Sequence, residues 1–134
     1  MYLGCGYAWV GILDLLHALS LENMTIYDVS NANIASQIWI VTRYLEALIL
    51  FTAPYIMSKY FNRAMVFTLY GLLSSVLIFL VFTKLFPNTY IEGEGLTPFK
   101  IYSEYLIILI LIFASVNLWI RKKEFEQKIF ISIL

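Results

Sequence analysis

The sequence predicts an all-α integral membrane bundle of about four transmembrane helices followed by the start of a fifth. Hydrophobic residues make up 61% of the chain and charged residues only 13%, with a mean hydropathy of +0.81. That leaves too few charges to coat a water-soluble domain of 134 residues with a polar shell. The charges are also spaced so that apolar runs of roughly 20 residues survive between them, the length that crosses a hydrocarbon core about 30 Å thick. These runs lack strict alternation, and an open sheet would leave backbone groups unpaired in lipid, so helices fill them.

The first helix is expected over Tyr2 to Leu19, a run slightly short for a span. Glu22 to Asn33, rich in Asn, Asp and Ser, follows as a loop. The second helix covers about Ala35 to Met57, with Pro54 near its end, where a transmembrane helix tolerates proline through a kink or a distorted last turn. The third runs from Ala64 to Leu85 and the fourth from Lys100 to Ile120; between them Pro87 to Pro98 holds two prolines and two glycines and reads as a loop. An apolar stretch beginning near 129 starts the fifth. Residue 1 opens almost directly into a hydrophobic run without the basic region and cleavage site of a signal peptide. The chain therefore reads as an internal piece of one larger membrane domain, with flanking helices and a cytoplasmic output module outside it. A complete small protein is the alternative.

Basic residues stay preferentially on the cytoplasmic side of short loops. Lys59 and Arg63 follow the second helix, and Arg121, Lys122, Lys123 and Lys128 follow the fourth. The loop after the first helix has neither Lys nor Arg, and the loop after the third carries Glu92 and Glu94 between Lys84 and Lys100. The expected topology is multi-pass in the cytoplasmic membrane, with residue 1 and residues 121–128 inside and loops 20–34 and 86–99 outside.

One Cys and one His give no disulfide within the chain and no recognisable zinc, haem or iron–sulfur ligand set, so no metal and no cofactor is expected. Gly93 and Gly95 belong to a Glu-Gly-Glu-Gly loop, and no phosphate loop or nucleophile elbow is present, which gives catalysis no foothold. A net charge of zero argues against a nucleic acid partner. The bilayer is the first partner the composition calls for.

The informative residues are the ionisable ones inside the spans, since each is costly at membrane depth and is normally paired or turned toward a cavity. They are Asp14, His17, Arg43, Glu46 and Glu104, with Lys100 opening the fourth span. Asp14 and His17, Arg43 and Glu46, and Lys100 and Glu104 each share a helix face by their spacing, and Trp39 precedes Arg43 by one turn. With the topology above, all of them fall between the outer surface and the midplane, which suggests a polar pocket opening outward. The structural alternative is three same-helix ion pairs that neutralise one another and tie the bundle together.

Three blocks in order carry a resemblance: GILDLLHAL, ending in the Asp14 and His17 segment, SQIWIVTRYLEAL at Ser36 to Leu48, and EGEGLTPFKIYSEYL at Glu92 to Leu106. Together they resemble the membrane-associated sensor domain family of the third type. Where that family often has a Lys-Gly-Met turn after the His block, this chain has Glu22, Asn23 and Met24. The resemblance implies a multi-helix input region of a bacterial or archaeal sensor histidine kinase or of an enzyme making or degrading cyclic diguanylate. Its recurring polar positions match Asp14, His17, Trp39, Arg43, Glu46, Lys100 and Glu104.

The expected function is thus sensory input. A small molecule or a proton biases two packings of the bundle at the Arg43, Glu46 and His17 cluster, and the change passes inward to cytoplasmic signalling domains of the parent chain. An anionic or carboxylate-bearing ligand suits Arg43 and Lys100, whereas a proton suits His17 coupled to Asp14. A homodimer is left open. The rivals are a transporter or channel fragment, which calls for polar residues continuing through the inner half, and a passive anchor or dimerisation bundle.

Overall fold

In the computed structural model the described residues are 2–21, 32–56 and 62–122. They form α1 (Tyr2–Leu19), α2 (Ala32–Ile56), α3 (Arg63–Phe82), a two-stranded hairpin of β1 (Tyr90–Ile91) and β2 (Gly95–Leu96), and α4 (Pro98–Ile120). All four helices are long and apolar enough to cross a membrane. The first matches its expected span at both ends. The fifth helix expected near 129 lies outside the described residues.

The helix ends follow local chemistry. Asn62 caps α3 by accepting from the Ala64 amide at 3.0 Å, and Thr97 caps α4 by accepting from the Lys100 amide at 3.3 Å, with Pro98 in the first turn. The third helix stops at Phe82 instead of continuing to 85. Lys84 turns left-handed (φ 59°), and the Leu85 and Phe86 amides fold back onto the Leu80 carbonyl at 3.0 Å. Pro54 sits inside the last turns of α2 without ending it.

α2 is the centre of the bundle: half of its most apolar stretch is buried, against 22% or less for the other three helices. Ile38, Val41, Leu45 and Ile49 recur at helical spacing and meet Val10 and Leu13 of α1 and Val66, Tyr70 and Val81 of α3. Ile40 and Ala47 point elsewhere and meet Ile107 of α4. Two glycines set how closely α1 approaches its neighbours. A Cβ at Gly6 would stand 2.8 Å from Ile49, and one at Gly71 would stand 2.6 Å from the Trp9 ring. Outward, Leu69, Leu72, Val76 and Phe79 on α3 and Tyr105, Ile108, Ile112 and Val116 on α4 are half or more exposed, faces that suit lipid better than water.

The stretch expected to be a plain loop holds the hairpin, with Tyr90 opposite Leu96 and Ile91 opposite Gly95. Its turn closes through the Glu94 amide onto the Ile91 carbonyl at 3.1 Å, with Gly93 at φ 86°, a conformation that strains any side chain. α2 begins at Ala32 rather than 35 because its first turn anchors this hairpin. Asn33 Oδ1 accepts from the Thr89 and Tyr90 amides at 2.9 and 3.0 Å, and Gln37 donates to the Phe86 and Pro87 carbonyls at 3.1 and 3.0 Å.

Candidate functional site

The intramembrane polar residues separate into two levels. The deeper one spans α1 and α2. Arg43 donates from Nη2 to Asp14 Oδ1 at 2.7 Å and from Nη1 to Glu46 Oε2 at 2.5 Å, and Tyr7 donates to Glu46 Oε1 at 3.3 Å. With α2 starting at Ala32, Arg43 and Glu46 lie about 16 and 21 Å along it, either side of its midpoint, so Glu46 falls just past the middle of the helix rather than on the outer side of it. The same-helix pair expected for Arg43 and Glu46 is present, but the one expected for Asp14 and His17 is replaced. Asp14 reaches across to Arg43, and His17 Nδ1 bonds the Ala35 carbonyl at 2.8 Å. A carbonyl only accepts, so Nδ1 carries the hydrogen and Nε2 holds the lone pair in the neutral ring.

The second level lies at the hairpin end of the bundle, where four elements line an open cavity of about 620 Å³. His17, Ser20 and Leu21 line it from α1 and the residues just after it, Ala32, Ala35, Ser36 and Trp39 from α2, Tyr90 and Leu96 from the hairpin, and Lys100 from α4. Lys100 Nζ stands 4.5 Å from the centre of the Trp39 ring and 3.4 Å from Glu104 Oε1, so a cation–π contact and an ion pair hold it at the cavity wall. Ser20 already bonds the Leu16 carbonyl at 2.7 Å. Ser36 Oγ is enclosed and has no partner among the described residues.

Of the residues singled out by sequence, His17, Trp39 and Lys100 thus meet at the cavity, with Glu104 behind Lys100. Asp14, Arg43 and Glu46 form the separate network below. Among the described residues no group of His, Cys, Asp and Glu is placed to hold a metal ion.

The family MASE3, a membrane-associated sensor domain, matches residues 1–134. The chain belongs to this family. The resemblance carried by the three sequence blocks therefore extends over the whole chain. With four candidate spans among the described residues, this MASE3 domain is a multi-pass membrane protein and a signal-input module. No curated protein and no solved structure matches it.

Sequence reading missed Ser36 and Tyr90 in the MASE3 cavity. A serine one turn before Trp39 on the same face was the available signal; Tyr90 reaches the cavity only because the hairpin folds over it. It also missed a hydroxyl cluster toward the other end of the bundle, where the Tyr2 hydroxyl bonds Tyr70 and, at 2.7 Å, Thr52. Nearby Asn117 donates to the Tyr55 hydroxyl at 2.8 Å, and the Arg121 guanidinium lies 4.6 Å from the centre of the Tyr55 ring.

Proposed function

We propose that this domain senses a small ligand in the cavity at its hairpin end, which faces outward, and passes helix displacements to a cytoplasmic output module such as a histidine kinase or a cyclic-diguanylate enzyme in the parent chain. The observation that carries this reading is the construction of the cavity. α1, α2, the hairpin and α4 all contribute walls, so an occupant touches every element except α3 and stabilises whichever packing fits it better. The Lys/Arg distribution supports the outward direction, since Arg63 and Arg121 lie at the opposite end from the hairpin. The Asp14–Arg43–Glu46 network supports a relay below the cavity, because it ties α1 to α2 through charges that resist being pulled apart in lipid.

The test is signalling output of the full-length parent, or of this domain fused to a reporter kinase, in Trp39→Ala, Ser36→Val and Lys100→Gln variants at equal membrane abundance. Output per molecule, or its response to medium, is expected to change while insertion is retained. Unchanged output in all three would sink the cavity as a sensing site and leave a passive anchor.

A further inference from the structure

The cavity has a sign. Among the described residues none that lines it is acidic, and the charged one is Lys100. The Lys100 side chain is 13% exposed and carries three N–H donors, yet its charge is met by one carboxylate at 3.4 Å and the face of Trp39. An ammonium is strongly hydrated in water, so so sparse a set of partners leaves it wanting an acceptor.

Three further groups point the same way. Ser36, which lines the cavity from α2, has an enclosed Oγ with no partner among the described residues and so a hydroxyl donor to offer. The first turn of α2 lines the cavity with Ala32 and Ala35, and neither α2 nor α4 places an acidic residue in its first turn. The positive end of the α2 dipole therefore meets no carboxylate from its own first turn. Leu21, Leu96 and the Trp39 and Tyr90 rings make the remaining wall apolar. Arg43, a half-buried cation on α2, belongs to the deeper network: both of its Nη groups are engaged by Asp14 and Glu46, and its Nε is enclosed.

We propose that the cavity binds an anionic group carried on a small apolar body, with Lys100 exchanging Glu104 for the ligand's anion and Ser36 donating to it. This rests on the sensing role proposed for the same cavity and supplies its ligand chemistry. A cation would face Lys100 and the first turn of α2, with no lining carboxylate among the described residues to receive it. A neutral ligand would gain nothing from Lys100 beyond a hydrogen bond. An anion is attracted by Lys100 and by the first turn of α2, while its apolar body packs on Trp39 and Leu96. The exchange also gives the site a switch, since a Glu104 released at membrane depth must find a new partner or move. The same chemistry is offered by a soluble carboxylate and by the head group of an anionic lipid.

Benzoate serves as the probe, with benzamide and benzylammonium as near-isosteric neutral and cationic controls. The full chain is placed in phosphatidylcholine nanodiscs and the tryptophan indole N–H resonances are followed, that of Trp39 being assigned with Trp39→Phe. Benzoate is expected to shift the Trp39 signal saturably, benzamide at least about tenfold more weakly, and benzylammonium not at all. Lys100→Gln should weaken benzoate by about tenfold or more, while Lys100→Arg, which keeps the charge and the fold, retains most of the response. Nanodiscs containing phosphatidylglycerol separate the two sources. A Trp39 shift produced by that lipid alone, lost in Lys100→Gln and blocking benzoate, assigns the site to the head group. Equal responses to benzoate and benzamide would overturn the anion assignment while leaving the cavity as a ligand site. No Trp39 response to benzoate or to phosphatidylglycerol would overturn the proposal whatever the reporter output of the cavity variants shows.

Discussion

Arg43 joins Asp14 across the α1–α2 seam at 2.7 Å while holding Glu46 on its own helix at 2.5 Å, so one cation serves two carboxylates from two helices. Removing Arg43 strands both acids, whereas removing Asp14 leaves a one-to-one pair. Arg43→Ala is therefore expected to cost about 3 kcal/mol of bundle stability. Asp14→Ala should cost only about 1 kcal/mol, because Arg43 stays paired with Glu46 and only one interhelical bond is lost. Arg43→Lys should fall between them, keeping the charge but not the fork that reaches both partners. Unfolding by steric trapping in bicelles measures all three; equal losses from Arg43→Ala and Asp14→Ala would contradict a shared cation.

His17 is expected to be a locked tautomer. Its Nδ1 lies 2.8 Å from the Ala35 carbonyl, and only an N–H can bond there. In the neutral state, ¹⁵N spectra of the labelled ring should therefore show a protonated Nδ1 and a lone-pair Nε2. His17→Phe removes the bond and should cost about 1 kcal/mol through the unmet carbonyl and the looser seam. A neutral ring protonated at Nε2 would contradict the cross-helix bond.

How much of this was legible depends on the kind of signal. The spans were readable because a run of apolar residues announces itself locally, and Tyr2–Leu19 emerged with both ends right. Ends set by distant partners were not. Nothing local says that Asn33 starts a helix, because its reason for being there is the Thr89 and Tyr90 amides it receives. Likewise the hairpin has strands of two residues each, too short for any alternation to register. Helical spacing found Arg43 with Glu46 and Lys100 with Glu104 because those pairs lie on one helix. It could not find Asp14 with Arg43, which depends on how α1 and α2 are rotated against each other. The Tyr2, Thr52 and Tyr70 cluster was hidden for another reason: in a chain with 10 tyrosines, no single hydroxyl stands out.

Glycine substitutions should separate contact from open surface. At Gly71 a Cβ meets two Trp9 ring atoms at 2.6 and 3.0 Å, and the ring cannot swing aside without losing the bond from its indole N–H to the Phe67 carbonyl at 3.0 Å. Gly71→Ala is expected to cost about 2 kcal/mol by overpacking the α1–α3 contact. Gly4 and Gly11 have nothing within 4 Å of a built Cβ, so alanine there should be neutral or stabilise by up to about 1 kcal/mol. Thermal unfolding in detergent, monitored by helical circular dichroism, ranks the three; a harmless Gly71→Ala would mean that Trp9 packs elsewhere.

The hairpin should be the element that a single polar substitution releases. Asn33 Oδ1 receives two backbone amides, those of Thr89 and Tyr90, and Asn33 Nδ2 donates to Asn88 Oδ1 at 3.0 Å. Thr89 is fully buried, so water cannot easily replace the lost acceptor at its amide. Asn33→Ala is therefore expected to destabilise the hairpin locally by about 2 kcal/mol, while the apolar α1–α2–α3 core, which does not involve Asn33, keeps its stability. Asn33→Asp retains the acceptor and loses the donor, so it should do less. Amide hydrogen exchange reads this directly: Thr89 and Tyr90 should lose protection in Asn33→Ala while Val41 and Leu45 do not. Because Tyr90 and Leu96 wall the cavity, the same variant should also weaken benzoate binding without touching Lys100. Retained protection at Thr89 would mean that the hairpin is held by the Gln37 bonds instead.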